Sequence, residues 1–264
     1  MNLPLVIVRA VYFLAVLQLF GLLNFDLWFG RVRPRQTAAA LVAVALLASL
    51  AWLALVAADM SGQAASPNAV SAVLRDTRFG ELWIARVALL LVAALLPWRV
   101  LSAIVAGLVL ALTAAAGHAG AENNPLQLGG DVIHLLAAGA WLGGLAPFAW
   151  AMRREDADVV ALRFSTLGTV CVGLIIVTGA MNSWFLVGGP RGLVGTDYGR
   201  VLLAKLALFV VLLAIAAINR FRLTPRGDTG ALRRNALIET ALGIAIVAVV
   251  AMLGTMAPGY HGGG

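Results

Sequence analysis

The chain is written in long apolar runs broken by short polar stretches. Runs of about twenty residues have the length that crosses a bilayer as helix. Eight can be drawn, over residues 5–25, 37–58, 82–96, 101–116, 131–150, 164–186, 201–219 and 236–256. The third and fourth are short and separated only by Pro97, Trp98 and Arg99, which predicts a tight helical hairpin. No basic residue precedes Arg9, and no small-x-small cleavage site precedes Asp26, so the first run is expected to be a retained helix, not a signal peptide. The pattern predicts an all-α fold: a polytopic membrane helical bundle of eight transmembrane helices, forming a single membrane domain over residues 1–264.

Composition agrees with the pattern. Hydrophobic residues make up 62% and charged residues 12%, about half the charge of an ordinary soluble domain. The net charge of +7 is not a nucleic-acid signal, because the arginines cluster in short loops where they set topology. Cys171 is the single cysteine, which excludes an internal disulfide and a cysteine-rich metal cage. No Walker loop, dinucleotide fingerprint, nucleophile elbow or HExxH motif is present. ATP hydrolysis by this chain alone is set aside, and no enzymatic activity is expected.

The charges also orient the bundle. Loops after spans one, three, five and seven carry Arg31, Arg33, Arg35, Arg99, Arg153, Arg154, Arg163, Arg220, Arg222, Arg226, Arg233 and Arg234. The opposite side carries Arg75, Arg78, Arg191 and Arg200. The positive-inside rule then places both termini outside the cytoplasm. All three histidines fall on that outer side: His118 after span four, His134 in the first turn of span five, and His261 after span eight.

A weak internal repeat runs through the chain. Phe79, Gly80 and Arg86 open span three in the same register as Tyr198, Gly199 and Lys205 in span seven. Each half, roughly 1–120 and 131–264, then ends in a glycine-flanked histidine. Four spans per half would relate the halves by a pseudo-twofold axis along the membrane normal, with His118 and His261 equivalent.

Imidazole is the commonest protein ligand for transition metals and suits copper and zinc. Taken singly, each histidine also reads as a loop or surface residue bonded to a carbonyl. Asp131, three residues before His134, is expected chiefly to cap span five and alternatively to orient the imidazole. Met60, Met181, Met252 and Met256 fall in the outer half, and a His/Met set selects Cu(I); methionine at helical positions is equally a packing residue. Arg9, Arg86 and Lys205 lie inside spans toward the outer side, level with Asp59, Glu81, Glu122, Asp131 and Asp197, with which they are expected to pair. Asp26 and Glu239 read as interfacial at the inner ends. Gly139, Ala140, Gly143 and Gly144 put small residues on span five, where a neighbouring helix can approach closely.

Several of these motifs occur together in a known family. The GHA at 117–119, DxxHLLAAGxWLGG at 131–144, YGxxLLxKLxLF at 198–209, NR at 219–220 and the closing Pro258 and His261 resemble bacterial copper resistance protein D. The resemblance implies an eight-span inner-membrane protein that handles copper and works with a separate periplasmic copper-binding partner of the resistance protein C type. It also implies copper at His118, His134 and His261. From their outer-half position and soft thioethers, Met60, Met181 and Met256 are further candidate ligands. The expected function is copper transport: capture on the periplasmic face, passage through the bundle, release into the cytoplasm. The alternatives are a haem-binding electron-transfer protein, disfavoured because the inner half has no histidine, and a non-conducting copper sensor or docking platform.

Overall fold

A computed structural model of the chain describes residues 2–30, 35–96, 99–117 and 124–257. Helices dominate, as the apolar runs predict. They are α1 (Leu3–Phe29), α2 (Arg35–Ser61), α3 (Pro67–Asp76), α4 (Arg78–Leu95), α5 (Arg99–Ala115), α6 (Pro125–Ala151), α7 (Ala157–Val187), α8 (Pro190–Gly195), α9 (Asp197–Ile218) and α10 (Thr229–Leu253). A π-helical turn, Asn219–Leu223, and a last turn, Thr224–Arg226, extend α9. Among the described residues, six helices are long and apolar enough to span a membrane: α1, α2, α6, α7, α9 with its extension, and α10. Where the remaining two spans are expected lie the shorter helices α4 and α5, of 18 and 17 residues, which are not among the six. α4 carries Arg78, Glu81 and Arg86, and this charge keeps it out of the six.

α1 is the axis of the bundle. It packs against α2, α5, α6 and α10 and buries Tyr12, Val16, Leu19 and Phe25. Hydropathy does not separate its buried face from its lipid-exposed one, because hydrocarbon tails are as apolar as a core. Its closest neighbour is α6, and glycine makes the approach possible. A methyl group on Gly143 would strike the Leu17 carbonyl oxygen and lie 3.1 Å from the Gly21 Cα; one on Gly21 would strike the Gly143 backbone. The small-residue face read from the sequence therefore meets α1. On the other side, Gly144 lies against Phe164 of α7, whose ring stacks on Phe148 with centroids 4.4 Å apart.

The repeated aromatic-glycine motif is built the same way twice. Short helices α3 and α8 each precede a threonine cap, Thr77 or Thr196. Gly80 N–H donates to Thr77 Oγ1 and Gly199 N–H to Thr196 Oγ1, both at 3.0 Å. Each hydroxyl donates back into the short helix, to Val73 O at 2.6 Å and to Gly192 O at 2.7 Å. A Cβ at either glycine would collide with the backbone of the preceding short helix. The short helices themselves escaped the hydropathy pattern, because an amphipathic helix such as α3 buries Val73, half-buries Ala69, Val70 and Leu74, and is otherwise polar or exposed.

Candidate functional site

α6 carries the site because its polar residues share one face. Gln127, Asp131 and His134 are spaced i, i+4 and i+7, so they lie in one stripe along the helix. The helix starts at Pro125 with Asn124 as its cap; Asn124 Oδ1 accepts from the N–H groups of Leu126 and Gln127 at 3.1 and 3.3 Å. This corrects the expected capping role of Asp131, which sits a turn and a half further in. Its carboxylate instead accepts a hydrogen bond across the helix pair from Asn182 Nδ2 of α7.

His134 is half-buried and held by the same helix. Its Nδ1 is 3.0 Å from Thr178 Oγ1. The Thr178 hydroxyl proton is committed to the Leu174 carbonyl at 2.6 Å, so the oxygen is the acceptor and Nδ1 carries the imidazole proton. In the neutral ring this leaves the lone pair on Nε2, the state in which histidine ligates metals, with the other nitrogen oriented by a hydrogen bond. Gly179 makes room for the imidazole: a Cβ there would lie 3.3 Å from the His134 Cε1.

Met181 joins this face. Gly130 leaves the space its side chain occupies: a Cβ on Gly130 would strike the Met181 Cε and lie 3.7 Å from its Sδ. The thioether thus sits one turn nearer the start of α6 than His134. Lys205 and Tyr198 sit on α9, which packs on α8 and α10. Lys205 acts electrostatically on both Asp131 and His134, and Asp131 acts on Tyr198. Met256 packs with Tyr198 and Leu202 at the end of α10. Met60 is 63% exposed at the end of α2, which packs on α1, α3 and α4. His118 and His261 lie outside the described residues, as does Glu122. α6 packs directly on α5 and α10, the helices that lead to those two histidines. Among the described residues, no three of His, Cys, Asp and Glu form a group able to hold a metal ion.

The cation that follows the first aromatic-glycine motif behaves differently. Arg86 is 1% exposed and stacks on Tyr12, Trp52 and Phe79 at 5.5, 5.3 and 5.7 Å from the ring centroids. Arg9 covers Trp52 at 4.9 Å. Neither forms a salt bridge with a carboxylate among the described residues, so ring quadrupoles take the place of the expected ion pairs. Tyr12 is fixed beneath them, its OH 3.3 Å from Thr113 Oγ1, whose own proton goes to Val109 O at 2.7 Å.

Sequence reasoning missed Thr178 and Asn182. Their signal is a polar pair at i, i+4 in an apolar helix, the same spacing as Gln127 and Asp131 on the facing one. It also missed the burial of Glu239, which is 2% exposed.

Two family models match the chain: "Copper resistance protein D-like, N-terminal domain" over residues 1–128 and "Copper resistance protein D" over residues 159–253. The chain is 29% identical to the copper resistance protein D of Pseudomonas syringae pv. tomato, covering 97% of both chains. It is 28% identical to the inner membrane protein YebZ of Escherichia coli (strain K12), over 95% of this chain and 97% of that one. It is 30% identical to the copper transport protein CutJ of Bacillus subtilis (strain 168), over 72% of this chain and 39% of that one. No solved structure matches.

Proposed function

The chain belongs to the copper resistance protein D family, and on that premise we propose that it transports copper across the bacterial inner membrane. Copper is taken from the periplasmic face, where a separate copper-binding protein of the resistance protein C type delivers it, and is released into the cytoplasm. The bundle crosses the membrane eight times, with α4 and α5 as the short third and fourth spans and both termini periplasmic. Its two halves are related by a pseudo-twofold axis that makes His118 and His261 equivalent.

The observation that carries the reading is the anchored imidazole. His134 is half-buried, its Nδ1 proton is spent on Thr178, and its Nε2 is the ligating nitrogen. One imidazole binds copper weakly, so the site needs partners. His118 and His261 supply them, each at the end of a helix that packs on α6. Met181 and Met256, near His134 and Tyr198, offer soft ligands at the same level. Met60 is a candidate for first capture on the exposed outer surface.

The test is copper accumulation in sealed proteoliposomes, with affinity and stoichiometry measured in folded, detergent-solubilised protein. Wild-type protein should accumulate copper, and each single His→Ala variant should lose most affinity. A second histidine removed should add little, because three converging ligands act as one site. Independent, additive losses would refute the shared site. Binding without accumulation would identify a platform and refute transport.

A further inference from the structure

The deepest acid in the bundle is far from the outer site. Glu239 lies ten residues into α10, about 15 Å from the start of that helix. Its partner Asn219, at the end of α9, is fourteen residues beyond Lys205, about 21 Å along the same helix axis. Apolar residues fill that stretch of α9. The two polar groups are therefore separate stations.

The network around Glu239 has a defined polarity. Asn235 Nδ2 donates to Asn219 Oδ1 at 2.7 Å, and Asn219 Nδ2 donates to Glu239 Oε2 at 3.1 Å. In this arrangement the Asn219 amide turns its NH2 toward the carboxyl group. Glu239 Oε1, equally buried, has no hydrogen-bond partner. Asn219 also opens the π-helical turn, where the Thr224 N–H bonds back to the Asn219 carbonyl. Such single π turns inside helices recur at functional sites.

Among the described residues, no cation compensates the acid. α10 packs on α9, the π turn, α6, α1 and α7. α6 brings no charged residue at this end. On α7, Arg163 and Asp158 are exposed. Arg220 of the π turn donates to Ser165 and Thr166 of α7 at 3.1 and 3.4 Å, and Arg222 is exposed. α1 brings Asp26, which is half-buried, and α10 itself brings Arg233 and Arg234 six and five residues before Glu239. None of these forms a salt bridge with Glu239 among the described residues. An ionised carboxylate with one hydrogen bond and no counter-charge is costly in such a setting. Oxygen Oε1 is open to the one ligand small enough to remove the charge.

We propose that Glu239, gripped by Asn219 and Asn235 at the π-helical turn, is a proton-exchange site in the half of the bundle opposite the histidines. The proton sits on Oε1 while Oε2 accepts from Asn219. The half-buried Asn235, one turn nearer the start of α10, lies on the route by which it is exchanged with the inner face. This inference does not rest on copper transport, and its test uses no copper.

The test is infrared spectroscopy of the purified full chain, with dicyclohexylcarbodiimide labelling as a second readout. A carboxylic-acid carbonyl band should be present, shift in deuterium oxide, and fade as pH is raised over roughly pH 5 to 9, the range in which buried carboxyls titrate. Glu239→Gln keeps the shape of the neutral acid and should fold, yet remove the band. The carbodiimide, which adds to protonated buried carboxyls, should modify Glu239 in the native protein more at low pH than at high. Asn219→Leu should fold and move the pH midpoint of the band. A folded protein with no band attributable to Glu239 and no labelling would overturn the proposal. So would a band that neither deuterates nor titrates, which marks a permanently protonated structural acid.

Discussion

His134 Nδ1 and Thr178 Oγ1 lie 3.0 Å apart, across the contact between α6 and α7. Because the threonine proton is held by the Leu174 carbonyl at 2.6 Å, this contact decides which imidazole nitrogen can ligate. Thr178→Val keeps the shape and removes the acceptor, and Thr178→Ser restores it. Copper affinity should fall by about tenfold to a hundredfold in the valine variant, the usual effect of losing a group that orients a ligand, and recover in the serine variant. Isothermal titration on the folded proteins reads this directly. Equal affinity in all three would show that the threonine does not orient the ring.

Lys205 and Asp131 interact electrostatically beside the histidine without forming a salt bridge among the described residues. Removing one charge leaves the other without that interaction in an apolar setting, which costs stability. Lys205→Met and Asp131→Asn should each lower thermal stability in detergent. The double variant should be more stable than the sum of the two losses predicts, and Lys205→Arg should be close to wild type. Strict additivity in the double variant would show that the two charges are not coupled.

The α1–α6 crossing should tolerate no side chain. Gly143→Ala places a methyl group against the Leu17 carbonyl and should destabilise by about 1–3 kcal/mol, as overpacking does. Gly129, nearly three turns before the small-residue face, has open space where a Cβ would go. Gly129→Ala should therefore hold or raise the melting temperature, since alanine is the better helix residue by about 0.5–1 kcal/mol. Equal loss at both positions would contradict the close approach.

Orientation has its own test. Cys171 is buried, so a cysteine-free background is readily made by Cys171→Ala. Asn68→Cys, exposed at the start of α3, should react with an impermeant thiol reagent in intact spheroplasts; Arg226→Cys, exposed after the π turn, should react only after lysis. The reverse pattern would place the histidines on the cytoplasmic side.

Much of this molecule is legible along the chain, because helix formation and membrane burial are local and additive. The apolar runs predict the long helices, and the glycines of α6 predict a close neighbour. The matched Thr-x-aromatic-Gly sequences around Gly80 and Gly199 adopt the same cap, since a cap depends only on residues three or four positions apart. What a one-dimensional pattern lacks is the rotation of each helix against the next. Position along a helix sets the angle of a side chain about its own axis, but a lipid-facing position and a buried one are apolar alike. Only the packed bundle decided that Asp131 answers Asn182 instead of capping α6, and that Arg86 stacks on aromatic rings while Lys205 faces a carboxylate. Packing also decided that Glu239, placed by sequence at a membrane surface, is sealed inside the bundle, because the neighbours that cover it come from helices distant in the chain.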